Sequence, residues 1–372
     1  MQPTSIGTPA EGAGSLPYLL NGADGQLHLS WVTTEADTAV LWHAVWQGEG
    51  WSEAKKVAAG SNWFVNWADY PMVSSNSSGQ LLAHYLAKSS EGTYSYDVNL
   101  TSSVDGKAWS ETVVPHLDGT PTEHGFVTML PENNGQFTVA WLDGRHTAEE
   151  GPMTLRSATI SSDLQISDEV ELDDRVCDCC QTGGAMTDNG PVIVYRNRSE
   201  VEWRDIFIVR KVNGQWTSPQ PVFEDQWEIA GCPVNGPRVD AIGNDLVVAW
   251  YTAAASQPKV QAIFSTDSGE TFGEPIVIDR DKPLGRVDVV MLDQKRAAVS
   301  WLTQSKDGEK TYVKAKIISN KGTSEPSLII AETSAERASG FPQMALHSDA
   351  LFFAWTSLNN KTPEIQMARV AL

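Results

Sequence analysis

The sequence predicts an all-β chain, a seven-bladed β-propeller of four-stranded antiparallel blades, and two observations lead to that prediction. A run of β-forming residues that ends in a large aromatic residue occurs seven times along the chain. Successive runs lie 51 to 56 residues apart, a spacing typical of one four-stranded propeller unit. The aromatic anchors are Trp31, Tyr85, Trp141, Tyr195, Trp250, Trp301 and Trp355.

Each unit repeats the same order of segments. A short inner run comes first, then the anchor strand, a third strand after a variable loop, and a fourth strand after a turn. In the fifth unit these are residues 237–239, 246–250, 260–263 and 275–278. The predicted blades are residues 16–60, 70–116, 124–173, 180–224, 235–280, 285–332 and 338–372. We expect one domain over residues 1–372, with residues 4–9 supplying the missing outer strand of the last blade, because this leaves no exposed sheet edge there.

The composition excludes several classes of partner. The chain has 27 Lys and Arg against 47 Asp and Glu, a net charge of −20, so a nucleic acid or an anionic membrane surface would be repelled. No stretch is apolar for long enough to span a bilayer. We expect no nucleotide cofactor. High acidity and 14 Trp in a propeller favour a periplasmic or extracellular protein whose signal peptide has been removed.

A turn motif carries the first family resemblance. The segment Ser265-Thr266-Asp267-Ser268-Gly269-Glu270-Thr271-Phe272 resembles the Asp-box of the sialidase and BNR-repeat superfamily, and a degenerate copy lies at residues 103–109. Physically this is a turn in which Asp267 caps backbone N–H groups and Gly269 takes a positive φ. In that superfamily the boxes lie far from the active site, so we interpret them as structural.

The middle of the chain carries a closer resemblance. Residues 177–182 (CDCCQT), 195–199, 203–206, 229–237 (IAGCPVNGP) and 285–290 are similar to a bacterial group usually labelled exo-α-sialidase. The resemblance implies a sialidase-like propeller, and activity does not follow from fold alone. Working sialidases have six blades, so a six-bladed propeller is the alternative fold.

Counting back from the anchors places scattered residues at one face. The loops before the inner strands and after the anchor strands open together around the central funnel of a propeller. Cys177 and Cys232 each stand 18 residues before an anchor, in adjacent blades. The expected ligand-binding residues in these loops are His124, Gln181 and Asn235. We expect the other histidines, including His84 and His116, to be structural or at the surface.

Three interpretations of the four cysteines remain open. The first is a disulfide of an exported protein, for example between Cys177 and Cys232. The second is a soft-metal site for Cu or Zn built from Cys177, Cys179, Cys180 and Cys232, with His124 near. The third is a redox-active or nucleophilic thiol. Because side chains alternate along an extended chain, we expect only one of Cys179 and Cys180 to join a tight cluster with Cys177.

The resemblance to sialidases implies another set of parts. Members of that superfamily use three arginines on the substrate carboxylate, a Tyr–Glu nucleophile pair and an Asp acid/base. The candidates are Arg145, Arg198 and Arg286 for the clamp, Tyr70 as nucleophile and Asp69 as acid/base. The Phe-Arg-Ile-Pro motif of the family is missing. The alternative role for the arginines is loop bracing, as in Arg145 with Asp143 or Arg204 with Glu202.

The preferred function is therefore ligand binding at the funnel, with a soft metal ion held by the cysteines. The rival is a glycoside hydrolase of the exo-sialidase type that acts on an anionic sugar. A small ligand, a metal ion or a glycan is the expected partner, and a protein partner is the third possibility, since propeller faces often bind proteins.

Overall fold

A computed structural model describes residues 2–372, and within them the strands form seven antiparallel sheets. The prediction of a seven-bladed β-propeller is confirmed, and the six-bladed alternative is excluded. The chain divides into two compact units, Leu172–Ala335 on the one hand and Thr4–Glu171 with Glu336–Val370 on the other.

The unit formed by Thr4–Glu171 and Glu336–Val370 contains four sheets. Its strands are β1 (Thr4–Ile6), β2 (Ser15–Asn21), β3 (Leu27–Glu35), β4 (Thr38–Val45), β5 (Lys55–Gly60), β6 (Met72–Ser75), β7 (Leu81–Lys88), β8 (Tyr96–Ser103), β9 (His124–Pro131), β10 (Phe137–Asp143), β11 (Met153–Ile160) and β12 (Ile166–Val176), which runs on past residue 171. The sheets are β2-β3-β4-β5, β6-β7-β8 and β9-β10-β11-β12, and the last strands of the chain form the fourth.

The second of these sheets departs from the predicted four strands. It has three, and two isolated bridges of β8 stand where the fourth strand would pair, one between Leu100 and Val113 and one between Tyr96 and Glu123. After the turn at residues 103–109 the chain leaves the sheet, and residues 114–121 form an irregular segment before β9.

The unit Leu172–Ala335 contains three sheets. Its strands are β13 (Gly183–Thr187), β14 (Gly190–Arg196), β15 (Ile206–Val212), β16 (Gln215–Trp216), β17 (Gln220–Phe223), β18 (Arg238–Ile242), β19 (Asp245–Thr252), β20 (Lys259–Ser265), β21 (Ile276–Asp279), β22 (Pro283–Asp293), β23 (Arg296–Gln304), β24 (Thr311–Ser319) and β25 (Leu328–Thr333). The sheets are β13-β14-β15 with β16 and β17 both on β15, β18-β19-β20-β21, and β22-β23-β24-β25.

The chain ends with β26 (Gln343–His347), β27 (Ala350–Asn359) and β28 (Thr362–Ala371). Strand β1 pairs with β28, with Ser5 opposite Ala368, and so takes the outer position of the last sheet. The described helices are three 3₁₀ turns at Thr147–Glu149, Ala254–Ser256 and Arg337–Ser339, and none in residues 2–372 could cross a membrane.

The anchor aromatics lie on the second strand of each sheet, and five of them are almost fully buried. Within Leu172–Ala335 three anchors also donate a hydrogen bond to an aspartate at or beyond the outer strand of the preceding sheet. The three aspartate–anchor pairs are Asp173–Tyr195 (2.5 Å), Asp225–Trp250 (2.6 Å) and Asp279–Trp301 (2.6 Å). In each pair the aspartate accepts a hydrogen bond from the hydroxyl or indole N–H group of the anchor. Because this polar group keeps a partner, burial of the aromatic ring costs little free energy.

Candidate metal centre

A turn at the end of β12 brings three thiols together. Cys177 follows the strand, residues 178–179 form the turn, and Cys180 precedes the extended segment that leads to β13. The Sγ atom of Cys177 lies 3.8 Å from that of Cys179 and 3.6 Å from that of Cys180. All three sulfur atoms lie within 4.8 Å of one another. We call Cys177, Cys179 and Cys180 the thiol cluster.

The expectation that only one of Cys179 and Cys180 would join Cys177 is wrong. It assumed an extended chain, in which neighbouring side chains point to opposite faces. The turn at residues 178–179 reverses the chain instead, so both side chains face Cys177. Cys177 and Cys180 are each 1% exposed, whereas Cys179 is partly open to solvent.

Cys232 borders the thiol cluster without being part of it. Its thiol shares a hydrogen bond with that of Cys179, and its side chain is exposed. All four cysteines are free thiols, and the nearest sulfur atoms to Cys177 come from its own turn. Of the interpretations left open, the geometry therefore favours a cluster of thiols over a Cys177–Cys232 disulfide, which would need a sulfur separation of about 2.05 Å.

Gly236 lets the loop that contains Cys232 lie close against the loop that contains Cys180. Its N–H donates to Oε1 of Gln181, and a Cβ at this position would lie 2.1 Å from the carbonyl oxygen of Gln181. Only glycine permits so close an approach. Asn235 stabilises the same loop, because its carbonyl accepts from Arg196 and its Oδ1 accepts from the N–H of Arg286. Gln181 and Asn235 thus brace the loops around the cysteines.

Two buried arginines lie beside the thiols. Nη1 of Arg204 lies 3.0 Å from Sγ of Cys177, and its Nη2 donates to Glu202 at 2.8 Å. Arg196 is 2% exposed, donates to backbone carbonyls of Asn235 and Tyr251, and stacks over Trp227 with its Cζ 4.9 Å from the ring centre. Because a guanidinium group is always protonated in proteins, both arginines supply permanent positive charge, and their hydrogen bonds fix the position of that charge beside the thiols.

The site favours one thiolate among thiols. Hydrogen bonds from Cys179 and Cys180 hold the pKa of Cys177 well below its usual range, and Arg204 and Arg196 reinforce this against the effect of burial. Burial, and then the hydrogen bond with Cys177, raise the pKa of Cys180 to about 12. The pKa of Cys179 is raised as well, first by its hydrogen bond to Cys177. A thiolate is the form that binds metals, and these contacts favour that form at Cys177.

The predicted arginines are each engaged with neighbours. Arg145 makes two hydrogen bonds of 2.8 Å to the carboxylate of Asp143 and a third to Glu169. Arg198 pairs with both oxygens of Glu202. The bracing pairs Arg145–Asp143 and Arg204–Glu202 are thus both present. Arg286 is 8% exposed, has a φ of 49°, and donates to the carbonyl of Ala335.

Asp69 and Tyr70 lie in a buried setting. Asp69 accepts from the N–H of Phe126 at 2.8 Å, and burial raises the pKa of its carboxyl to about 8. The ring of Tyr70 packs near Phe341, and Gln343 donates to its hydroxyl. A Tyr–Glu pair that the sequence did not reveal lies next to Asp69. The hydroxyl of Tyr96 donates to Glu123 at 2.6 Å and lies 3.4 Å from Oδ2 of Asp69.

His124 has neighbours that the sequence analysis did not assign to it. Its ring stacks on that of His116, with centroids 3.7 Å apart, and Asp97, Asp118 and Asp143 surround it. The prediction that His116 is a merely structural residue rested on its lack of any shared spacing with the other histidines. His116 lies in the irregular segment after β8, where the repeat gives no register, so counting from the anchors could not find this pair.

No protein family model matches the chain, and comparison with curated proteins finds no match either. Solved structures share its fold. An ulvan lyase, a polysaccharide lyase, is 11% identical over 99% of this chain and 96% of that one, with a TM-score of 0.61. An α-L-arabinofuranosidase from Fusarium graminearum is 14% identical over 100% and 98%, with a TM-score of 0.55. The endosialidase of phage phi92 is 9% identical over 100% and 69%, with a TM-score of 0.54. At these identities the likeness shows that the chain shares the overall fold of these structures.

Proposed function

We propose that this protein binds one soft metal ion, Cu(I) or Zn(II), through Cys177, Cys179 and Cys180, with Cys232 able to complete the set. The observation that carries the proposal is the convergence of three free thiols in one turn, with sulfur separations of 3.6 and 3.8 Å from Cys177. Tetrahedral ligands 2.3 Å from a zinc ion are about 3.8 Å apart, so the thiols need little movement to bind. Thiolates also select Cu(I) over harder ions.

The surrounding charges support this role. Three thiolates leave one negative charge on a bound Zn(II) and two on a bound Cu(I). The guanidinium groups of Arg204 and Arg196 lie beside Cys177, where they compensate that excess. Because metal binding requires deprotonated thiols, a site that already favours one thiolate loses fewer protons on loading.

Metal analysis combined with a thiol count tests the proposal. Protein purified anaerobically and without chelator should contain about one equivalent of Cu or Zn per chain. The thiols of Cys177, Cys179 and Cys180 should react only after the metal is removed. Cys177→Ser should weaken binding by more than the roughly 10- to 100-fold typical of losing an outer-shell partner. Cys232→Ser is the matched comparison and should have a smaller effect, because its sulfur lies outside the thiol cluster.

The opposite result is equally clear. Four oxidised cysteines with no bound metal, together with no binding of Cu(I) in competition with bicinchoninate after reduction, would reject the metal site and leave the disulfide or redox interpretation. We also propose a periplasmic or extracellular location, which N-terminal sequencing of the mature natural protein checks.

Hydrolysis of a glycosidic bond is a second candidate function, favoured by the surroundings of Asp69. A carboxyl group whose pKa is raised to about 8 by burial is protonated at neutral pH, which suits a general acid. The adjacent Tyr96–Glu123 hydrogen bond supplies a Tyr–Glu pair in the role first assigned to Tyr70. Burial and the neighbouring carboxylates raise the pKa of Tyr96 well above its usual range, so its hydroxyl stays protonated. Tyr96 could act as a nucleophile only after a bound substrate had changed this environment.

Turnover of a fluorogenic sialoside tests this candidate. Activity should fall at least about 100-fold in Asp69→Asn, whereas Tyr94→Phe at an exposed tyrosine should leave it unchanged. Absence of turnover by the wild-type protein would discard the sialidase form of the hypothesis.

A further inference from the structure

Five side chains whose nitrogen or oxygen atoms could bind a metal ion converge where the second and third sheets are joined. Asp97 lies on β8, His116 and Asp118 lie in the irregular segment that follows, His124 is the first residue of β9, and Asp143 is the last residue of β10. His124 and Asp143 are paired across the β9–β10 ladder, so the sheet itself fixes their relation. We call these residues the His–Asp cluster.

The ligand atoms of the cluster face one another without hydrogen bonds among them, although Oδ1 of Asp143 accepts hydrogen bonds from Arg145. Nε2 of His124 lies 3.3 Å from Oδ2 of Asp118 and 3.8 Å from Oδ1 of Asp143. His124 is 0% exposed, yet among the described residues neither of its ring nitrogens has a hydrogen-bond partner. Oδ2 of Asp118 is equally buried and has none in the same part of the chain. Unpaired buried polar atoms are rare, and each calls for an explanation such as a bound ion.

The charges in the cluster do not balance. Asp97, Asp118 and Asp143 bring three negative charges, and the one guanidinium at the site, that of Arg145, is shared with Glu169. His116 is buried against His124. Buried carboxylates without matching positive charge are costly. A divalent cation bound among these carboxylates would remove the deficit.

We propose that a divalent cation that prefers nitrogen and oxygen ligands, of the Zn²⁺ and Mn²⁺ class, binds between Nε2 of His124, Oδ2 of Asp118 and Oδ1 of Asp143. Ligands about 2.1 Å from such an ion at tetrahedral angles are about 3.4 Å apart, close to the separations of 3.3 and 3.8 Å. A pocket lined by Asp97, His116, Gly119 and Thr120 opens beside the His–Asp cluster.

His116 has a supporting position in this proposal. Its ring is nearly parallel to that of His124, with an angle of 7° between the planes. The lone pairs of stacked rings are parallel and do not converge on one ion, so His116 orients His124 and does not share its metal. The site is chemically distinct from the thiol cluster, because a soft ion such as Cu(I) prefers thiolates.

Titration with Co²⁺ tests the proposal, in a variant whose four cysteines are replaced by serine so that only the His–Asp cluster remains. We expect about one Co²⁺ per chain, with weak visible bands and without the intense near-ultraviolet absorption of thiolate ligands. Asp118→Asn and, separately, His124→Gln should each weaken binding at least tenfold. Asp163→Asn is the matched control, because Asp163 is an exposed aspartate in the same blade and should change nothing.

Circular dichroism and thermal unfolding check that each variant is folded. If the cysteine-free protein does not fold, the wild-type protein serves, because thiolate and nitrogen–oxygen sites of Co²⁺ are distinguished by their spectra. Folded protein that binds neither Co²⁺ nor Zn²⁺ nor Mn²⁺ in this way, or whose binding is the same in both variants, overturns the proposal. Nitrogen NMR would then show His124 as an imidazolium with a proton on each ring nitrogen.

Discussion

His84 is a buried histidine whose imidazole finds no partner. It lies on β7 with 0% exposure, and among residues 2–372 neither ring nitrogen has a hydrogen bond. Burial lowers the pKa of this histidine to about 3. An unpaired buried polar group costs about 1–3 kcal/mol on the evidence of protein mutations, so His84 lowers the stability of the second sheet.

Replacement of His84 by leucine should therefore stabilise the protein, by about 1–3 kcal/mol at neutral pH. The unfolded chain takes up a proton below pH 6.5, whereas the folded chain does so only near pH 3. Wild-type stability should thus fall as the pH drops through this window, by up to about 1.4 kcal/mol per pH unit from this residue. Urea unfolding of both proteins at pH 7 and pH 5 measures the effect. An equal pH dependence in both would contradict it.

Some features of the candidate sites could be predicted from the sequence, and others could not. The repeat identified the loops that carry the cysteines, because the distance to an anchor is preserved within a blade. The direction of the Cys179 side chain could not be predicted, because it depends on one turn in a loop. His116 and Asp118 lie where the second sheet loses its fourth strand, so no register existed from which to place them.

The aspartate–anchor pairs are hydrogen bonds that link strands of different sheets. The pairs Asp225–Trp250 and Asp279–Trp301 each join the anchor strand of one sheet to the outer edge of the sheet before it, in addition to the apolar packing between those sheets. The sequence predicted the anchor strands correctly from their spacing. It did not predict the aspartates, because Asp173, Asp225 and Asp279 follow no spacing strict enough to separate them from the other acidic residues.

Removal of the donor from one pair measures its contribution. Trp301→Phe leaves the carboxylate of Asp279 without the 2.6 Å hydrogen bond and should lower the free energy of unfolding by roughly 1.5–3 kcal/mol, the range for bonds to charged groups. A double-mutant cycle with Asp279→Ala separates the hydrogen bond from the lost ring area. A coupling energy near zero would mean that the pair adds nothing beyond packing.

For the molecule as a whole, strand β1 covers what would otherwise be the outer edge of the last sheet. Its three residues pair with β28, and Ile6 also packs against the core formed by the first and last sheets. Without β1, the ten residues of β28 would be an exposed sheet edge. Exposed edges pair with other chains and promote aggregation.

Deletion of residues 2–9 should therefore lower the thermal midpoint and shift the protein toward oligomers in size-exclusion chromatography. Deletion of residues 2–3 alone is the matched control, since these residues precede β1. If both deletions left the midpoint and the elution volume unchanged, the pairing of β1 with β28 would not contribute to stability.

The aspartate–anchor pairs also bear on how blades can be exchanged between proteins. A chimaera cut at the sheet boundaries would carry Trp250 into a new host and leave Asp225 behind, so the indole N–H would be buried without an acceptor. The segment to be transferred should therefore start at the aspartate that precedes a sheet, so that it includes both this aspartate and the anchor that donates to it. It should end before the next aspartate of this kind. Recombination or gene duplication in this lineage would meet the same constraint.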